Sequence, residues 1–380
     1  MAKKTWTLFD QANPNLQRPE LPKNISLNTL KHGLSAGVDV VSIDNGKLEI
    51  RVLPTRGMNI WKAFWRGSDG QEEIGWNAPV RGPVHPQYVP LSEPSGLGWL
   101  DGFDELFVRC GLENNGAPEF DDAGKLLFPL HGRIGNKPAH KVEVSIDDAT
   151  GEIELTGWVD EARFHFLKVS LKTTLKTKKD SPGFEIVDEI TNLSASPAEV
   201  QMLYHVNFGQ PLLDGGSKIC APIAELVPRN DHAATGIDAW DSYQAETPGF
   251  EEQVYFAKLQ SNADGKSLSL LKNAHSTRGA VLRFDTSQLP CFTVWKNTTA
   301  IEDGYVTGIE PGTNFPNPRS FEGEKGRVIK LPGKGSTTLN LGFEYCPDEK
   351  SVEAAETAVI ELQKQSPTIH KTPLADWCSS

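Results

Sequence analysis

The sequence predicts an all-β protein, a large antiparallel β-sandwich closed by one C-terminal helix. Two observations carry this expectation: strand-like runs recur through most of the chain, and helical stripes between them are scarce. Val38 to Ile43 and Lys47 to Val52 alternate apolar and polar residues about Asp44-Asn45-Gly46, a hairpin signature. The pattern returns in Lys141 to Ile146 and Glu152 to Gly157, and again in Phe166 to Leu175 and Phe184 to Ile190. Later strands are expected at Val254 to Leu259, Leu268 to Leu271, Ala280 to Phe284, Phe292 to Trp295 and Thr337 to Tyr345. The helix is expected from Asp348 to Gln365, where Val352, Ala355, Val359 and Leu362 fall at helical spacing. The segment from Trp76 to Asn115 lacks periodicity and reads as a long, aromatic-rich irregular stretch, and 366–380 reads as a loosely ordered tail. The resulting organisation is an N-terminal arm (1–37), the sandwich (38–346) and a helix with its tail (347–380).

Composition narrows the function classes. With 380 residues, of which 38% are hydrophobic, the chain can bury a substantial core. A net charge of −12, with no basic run beyond the patch around Lys176 to Lys179, argues against nucleic acid and anionic membrane as partners. The five cysteines are widely spaced and form no CxxC pair, so they read as reduced structural thiols and not as a zinc site. No membrane-spanning run and no signal-like apolar region stand out, and the expected setting is cytoplasmic. A homodimer is compatible with the sequence. No phosphate loop, HExxH or CxxC is present, so no cofactor and no metal are expected. Gly33 to Gly37 fits GxSxG, but it leads into a strand and not a helix, so it reads as a chance match.

Three segments concentrate the chemistry. Each sets an ionisable residue among Gly, Pro or Asn beside an apolar run: Leu130-His131-Gly132, Tyr204-His205-Val206-Asn207-Phe208, and Gly308-Ile309-Glu310-Pro311 leading into Asn314 and Pro318. The last reads as a stiff loop presenting Glu310, since proline fixes φ and glycine and asparagine permit positive φ. A solvated glutamate and a satisfied core histidine are the plain alternatives. Arg56 and Arg109 extend the constellation; Arg56 could instead cap a turn, and Arg133 or Arg109 could pair with an acidic neighbour such as Glu105.

In their order along the chain, the three segments resemble the aldose 1-epimerase (galactose mutarotase-like) superfamily. The resemblance implies a β-supersandwich with a sugar site on a concave sheet face. It implies Glu310 as the base at the anomeric hydroxyl, His205 as the acid at the ring oxygen, and His131 as a ligand of a sugar hydroxyl. Arg109 lies about where that family keeps a substrate arginine. Arg56, the 76–115 segment and the Arg319 region depart from its pattern. Together with Asn207, Asn314, Arg319 and Trp76, the two arginines are expected at the substrate, and Trp61, Trp99 and Trp295 are further candidates to stack on a sugar face. The function so implied is interconversion of sugar anomers by acid/base ring opening of a small-molecule carbohydrate. Two alternatives share the fold: an epimerase or lyase acting beside the carbonyl of an oxidised sugar, and a non-catalytic carbohydrate-binding protein. A phosphorylated sugar would require one of the arginines to line the pocket.

Overall fold

In the computed structural model, which describes residues 3–68 and 70–379, two large sheets pack face to face. Among the described residues one has nine strands and the other thirteen. The larger sheet carries the strands Phe107–Leu112, Ala198–Phe208, Val306–Gly312 and Cys291–Asn297 as consecutive neighbours at its centre. Its pairings are antiparallel apart from that of Ile223–Pro228 with Thr368–Ile369. No helix among the described residues is long and apolar enough to cross a membrane.

The alternating runs behave as expected. The first hairpin pairs Asp39–Asp44 with Leu48–Leu53, and the meander Ala139–Asp147, Glu152–Ala162, Lys168–Lys178 and Gly183–Asn192 builds one half of the smaller sheet. Their inward residues, among them Val142, Leu155, Leu171 and Ile186, meet Ile50, Ile60, Val206 and Phe208 of the other sheet in one continuous core. The helix spans Glu349–Leu362, starts on an Asp348–Ser351 capping box and buries Val352, Ala355 and Val359. The N-terminal arm contributes an edge strand to each sheet, Lys4–Asp10 beside Ala139–Asp147 and Ile25–Thr29 beside Asp39–Asp44.

Three expectations fail for identifiable reasons. Phe107–Leu112, inside the stretch read as irregular, is a fully buried central strand. Arg109 masked it, because an arginine at an inward position contradicts an apolar pattern. Glu310 does not sit in a loop, since Val306–Gly312 is a strand with every residue buried. Two glycines and a proline hid it. The tail is not loose either: Trp377 stacks on Phe315 at 4.7 Å between ring centroids, Phe315 stacks on Phe256 at 4.7 Å, and Asn317 Nδ2 donates to the Trp377 carbonyl. This docking secures the segment that follows Glu310.

The sheets are joined by a buried charge cluster. Arg109 Nε donates to Asp188 Oδ2 at 2.6 Å, and its two Nη groups donate to Asp188 Oδ1, Thr173 Oγ1 and the Met58 carbonyl. Tyr204 adds its hydroxyl to Asp188 Oδ2 at 3.1 Å. Arg109 and Tyr204 belong to the larger sheet; Asp188 and Thr173 belong to the smaller. Removing one partner of such a pair strands the other charge in the core, whereas replacing both with apolar groups need not. Asp188→Ala is therefore expected to lose about 3–5 kcal/mol of stability in urea denaturation. An Arg109→Met/Asp188→Leu double variant should lose much less. A loss under about 1 kcal/mol for Asp188→Ala would show that the charges do not hold the sheets together.

Candidate functional site

Strand pleat and register assemble the site. Because Tyr204 points inward to Asp188, His205 must point to the opposite, outer face of the larger sheet. Leu203 pairs with Gly312 and Val206 with Ile309, which sets His205 abreast of Glu310 on the neighbouring strand. Pro311 has no N–H to add to the ladder at this point. Glu310 is in turn paired with Thr293. His205 Nε2 and Glu310 Oε1 stand 3.2 Å apart, and the two residues are only 4% and 2% exposed. Gly308 lies one residue beyond Ile309, on the same face as Glu310. A methyl group there would collide with the Glu310 carboxylate and come within 2.9 Å of the His205 ring.

The histidine tautomer is fixed by Asn207. Its Nδ2 donates to the carbonyls of Glu105 and His205, so its Oδ1 faces His205 Nδ1 at 2.6 Å and accepts from Nδ1–H. Nε2 is left to face Glu310. His131 is fixed in the same sense: Nδ1–H donates to the Asn115 carbonyl at 2.9 Å.

Aromatic groups enclose the pair. Phe103 and Trp295 meet the His205 ring edge-on at 5.4 and 5.5 Å, and Trp99 meets His131 at 4.6 Å. Burial dominates the electrostatics. It pushes the Glu310 carboxyl well above the carboxylate range, with Glu252 adding to the rise and Arg229 opposing it. Burial pushes His205 well below the ordinary imidazole value, with His131 adding to the fall and the Asn207 bond opposing it. His131 falls to about 4, chiefly through burial. Both shifts favour the neutral forms, a protonated Glu310 carboxyl facing the lone pair of His205 Nε2. Thr293 Oγ1 is buried with no hydrogen-bond partner among the described residues, and Glu310 Oε1, on the residue paired with it, meets only the facing His205 Nε2. Under-satisfied buried oxygens on paired residues mark a place for a hydroxylated ligand.

The cavity over these atoms has a volume of about 380 Å³ and is lined by His131, His205, Glu310, Thr293, Trp99, Phe103, Trp295, Arg229 and Glu252, with apolar residues toward the mouth. Of the residues expected at the substrate, His131, His205 and Glu310 meet here, as do two of the candidate tryptophans, Trp99 and Trp295. The others are placed elsewhere. Arg56 is buried against Glu105, Asn136 Oδ1 and the carbonyls of Val84 and Gly102. Arg109 belongs to the inter-sheet cluster. Asn207 stands behind His205, and Trp76 packs on Phe103 while donating to the Glu105 carbonyl. Asn314 exchanges amide bonds with Asn115, and Arg319 pairs with Glu199 and the Glu113 carbonyl. Trp61 donates to Asp104 Oδ2, outside the cavity lining. Arg229, Glu252 and Thr293 escaped the sequence reading. Only cross-strand register reveals Thr293, and no local motif surrounds the other two. No group of three His, Cys, Asp or Glu among the described residues could hold a metal ion.

Comparison with known proteins agrees with the fold. Residues 35–345 match the family described as a domain of unknown function, DUF4432. A candidate aldose 1-epimerase from Klebsiella pneumoniae subsp. pneumoniae is 34% identical, with 98% of this chain and 100% of that one covered and a TM-score of 0.91. A galactose mutarotase-like protein from Clostridium acetobutylicum shares the fold at 14% identity, with coverage of 85% and 99% and a TM-score of 0.58. An aldose epimerase homologue from C. elegans does so at 13% identity, with coverage of 81% and 98% and a TM-score of 0.51. No curated protein matches the chain. The chain belongs to the DUF4432 family and is a divergent member of the aldose 1-epimerase (galactose mutarotase-like) superfamily.

Proposed function

We propose that the protein interconverts the anomers of a free sugar by acid/base ring opening at His205 and Glu310. The observation that carries this reading is the buried pair itself, a proton donor and a proton acceptor 3.2 Å apart on the floor of a cavity. Opening a cyclic hemiacetal removes the proton from the anomeric hydroxyl O1, breaks the C1–O5 bond and delivers a proton to O5. Rotation about C1–C2 and reclosure on the other carbonyl face then invert the anomer. Two groups that hold one proton between them satisfy both demands without a charge leaving the site.

The resting proton sets the direction. Glu310, held protonated by its apolar walls, delivers to O5, and His205 Nε2 takes the proton from O1. This assignment is the reverse of the roles implied by the family resemblance. Reclosure returns the proton to Glu310 and leaves the pair ready for the next sugar. His131 Nε2, free because Nδ1 is committed to Asn115, is an acceptor for a sugar hydroxyl. Thr293 Oγ1 supplies another contact, and Trp99 and Trp295 present faces on which sugar C–H groups stack.

Glu310→Gln keeps the shape and removes the proton, so anomer exchange followed by NMR should slow at least about 100-fold with an unchanged unfolding transition. Turnover close to wild type would remove Glu310 from the mechanism. The pH profile gives a second check. Activity needs one proton on the pair; it fails in acid when His205 gains a second proton and in base when Glu310 loses its own. With His205 lowered and Glu310 raised, kcat/KM should stay level through ordinary imidazole values of about 6.5, with limbs only on either side. An inflection near 6.5 that disappears in His205→Gln would contradict the neutral pair.

A further inference from the structure

Apart from Arg229 and Glu252, the cavity is polar only at its floor. Above His205, Glu310, Thr293 and His131, the wall toward the mouth is built from Leu97, Leu100, Ala117, Pro118, Leu130 and Pro316. Leu97 and Leu100 flank Trp99 in and beside the short turn Gly98–Gly102, and are 44% and 45% exposed. Trp99 and Phe103 of the same segment are buried against Trp76, Val108 and Leu203, so the turn is anchored while its two leucines remain uncovered. Large aliphatic side chains left half in water at the mouth of a ligand cavity favour an apolar occupant.

Charge points the same way. Arg229 and Glu252 are the charged residues of the rim, and they face each other at 3.9 Å. Glu252 also accepts from Trp295 Nε1 at 2.6 Å. The rim cation is thus already opposed by a carboxylate, and Arg56, Arg109 and Arg319 are engaged elsewhere. An ionised sugar, phosphorylated or oxidised, would meet no unopposed cation at this site.

We propose that the leucine wall is a subsite for a hydroxyl-free edge of the substrate, and that the substrate is an uncharged deoxy sugar with a free anomeric hydroxyl. This inference rests on the ring-opening reading for the placement of C1 over Glu310 and His205. The methyl or methylene edge then lies against Leu97 and Leu100. A hydroxyl at that position would give up water for a wall that offers no partner, while a methyl group there adds apolar contact. Together these effects favour the deoxy sugar by roughly tenfold or more.

The test pairs sugars that differ by one hydroxyl: galactose with 6-deoxygalactose, glucose with 6-deoxyglucose, and glucose with 2-deoxyglucose. Binding to the full chain is measured by calorimetry, and anomer exchange by NMR on the same samples. In at least one pair the deoxy member should bind about tenfold tighter or more, and Leu100→Asn should cut that ratio at least about threefold. Leu100 is half exposed, and an unchanged unfolding transition confirms that the variant folds. Equal or tighter binding of the hydroxylated member in every pair overturns the proposal. So does the absence of binding by any sugar, or a ratio untouched by Leu100→Asn. A deoxy preference in binding without anomer exchange leaves the subsite standing and removes the ring-opening reading; exchange without preference does the reverse.

Discussion

The buried ion pair between Arg109 and Asp188 is the interaction on which the rest of the structure depends. It ties a central strand of one sheet to a central strand of the other, and it draws the Tyr204 hydroxyl to the same carboxylate. Two charges in a core are costly unless every polar atom is satisfied. Here Thr173 and the Met58 carbonyl complete the arginine's bonds. The functional consequence follows from the pleat. With Tyr204 held inward, its neighbour His205 is committed to the outer face, opposite Glu310. A one-residue slip of this strand would turn the histidine into the core and the tyrosine into the cavity.

On the outer face the organising force is desolvation. Phe103, Trp99 and Trp295 enclose the pair, and Arg229 only partly offsets the cost of burying the carboxylate. The neutral form, with the proton on Glu310, wins over the ion pair. Asn207 contributes by geometry alone: both amide hydrogens are committed to carbonyls, so its oxygen can only accept, and His205 must carry its hydrogen on Nδ1. Gly308 keeps the space above the pair open, and the stack of Phe256, Phe315 and Trp377 secures the chain just beyond it. The apolar surroundings that set the proton also make the cavity selective, because a site poor in hydrogen-bonding walls discriminates against a hydroxyl it cannot pair.

How far the sequence disclosed this arrangement depended on whether each signal was local. The hairpin at Asp44-Asn45-Gly46, the meander from Ala139 to Asn192 and the capped C-terminal helix were legible, because alternation, turn chemistry and an N-cap act within a few residues. His131, His205 and Glu310 were legible as motifs, and they line one cavity. The arginines were misplaced for a physical reason. Nothing near Arg109 announces that its partner is Asp188, 79 residues away on the other sheet, and a buried arginine resembles a substrate arginine until its partner is known. Glycine and proline usually break strands and so suggest a loop around Glu310, whereas here they clear the site and interrupt a ladder. Thr293 reaches the cavity through register, and Arg229 and Glu252 reach it from the ends of the neighbouring strands Ile223–Pro228 and Gln253–Leu259.

That one proton is held between a neutral His205 and a protonated Glu310 is tested most directly by nitrogen NMR of the imidazole at neutral pH, with His205 assigned by comparison with a His205→Gln sample. One protonated nitrogen, Nδ1, and one bare nitrogen, Nε2, are expected, together with a protonated carboxyl band in the infrared difference spectrum against Glu310→Gln. An imidazolium with both nitrogens protonated beside an ionised Glu310 would contradict it.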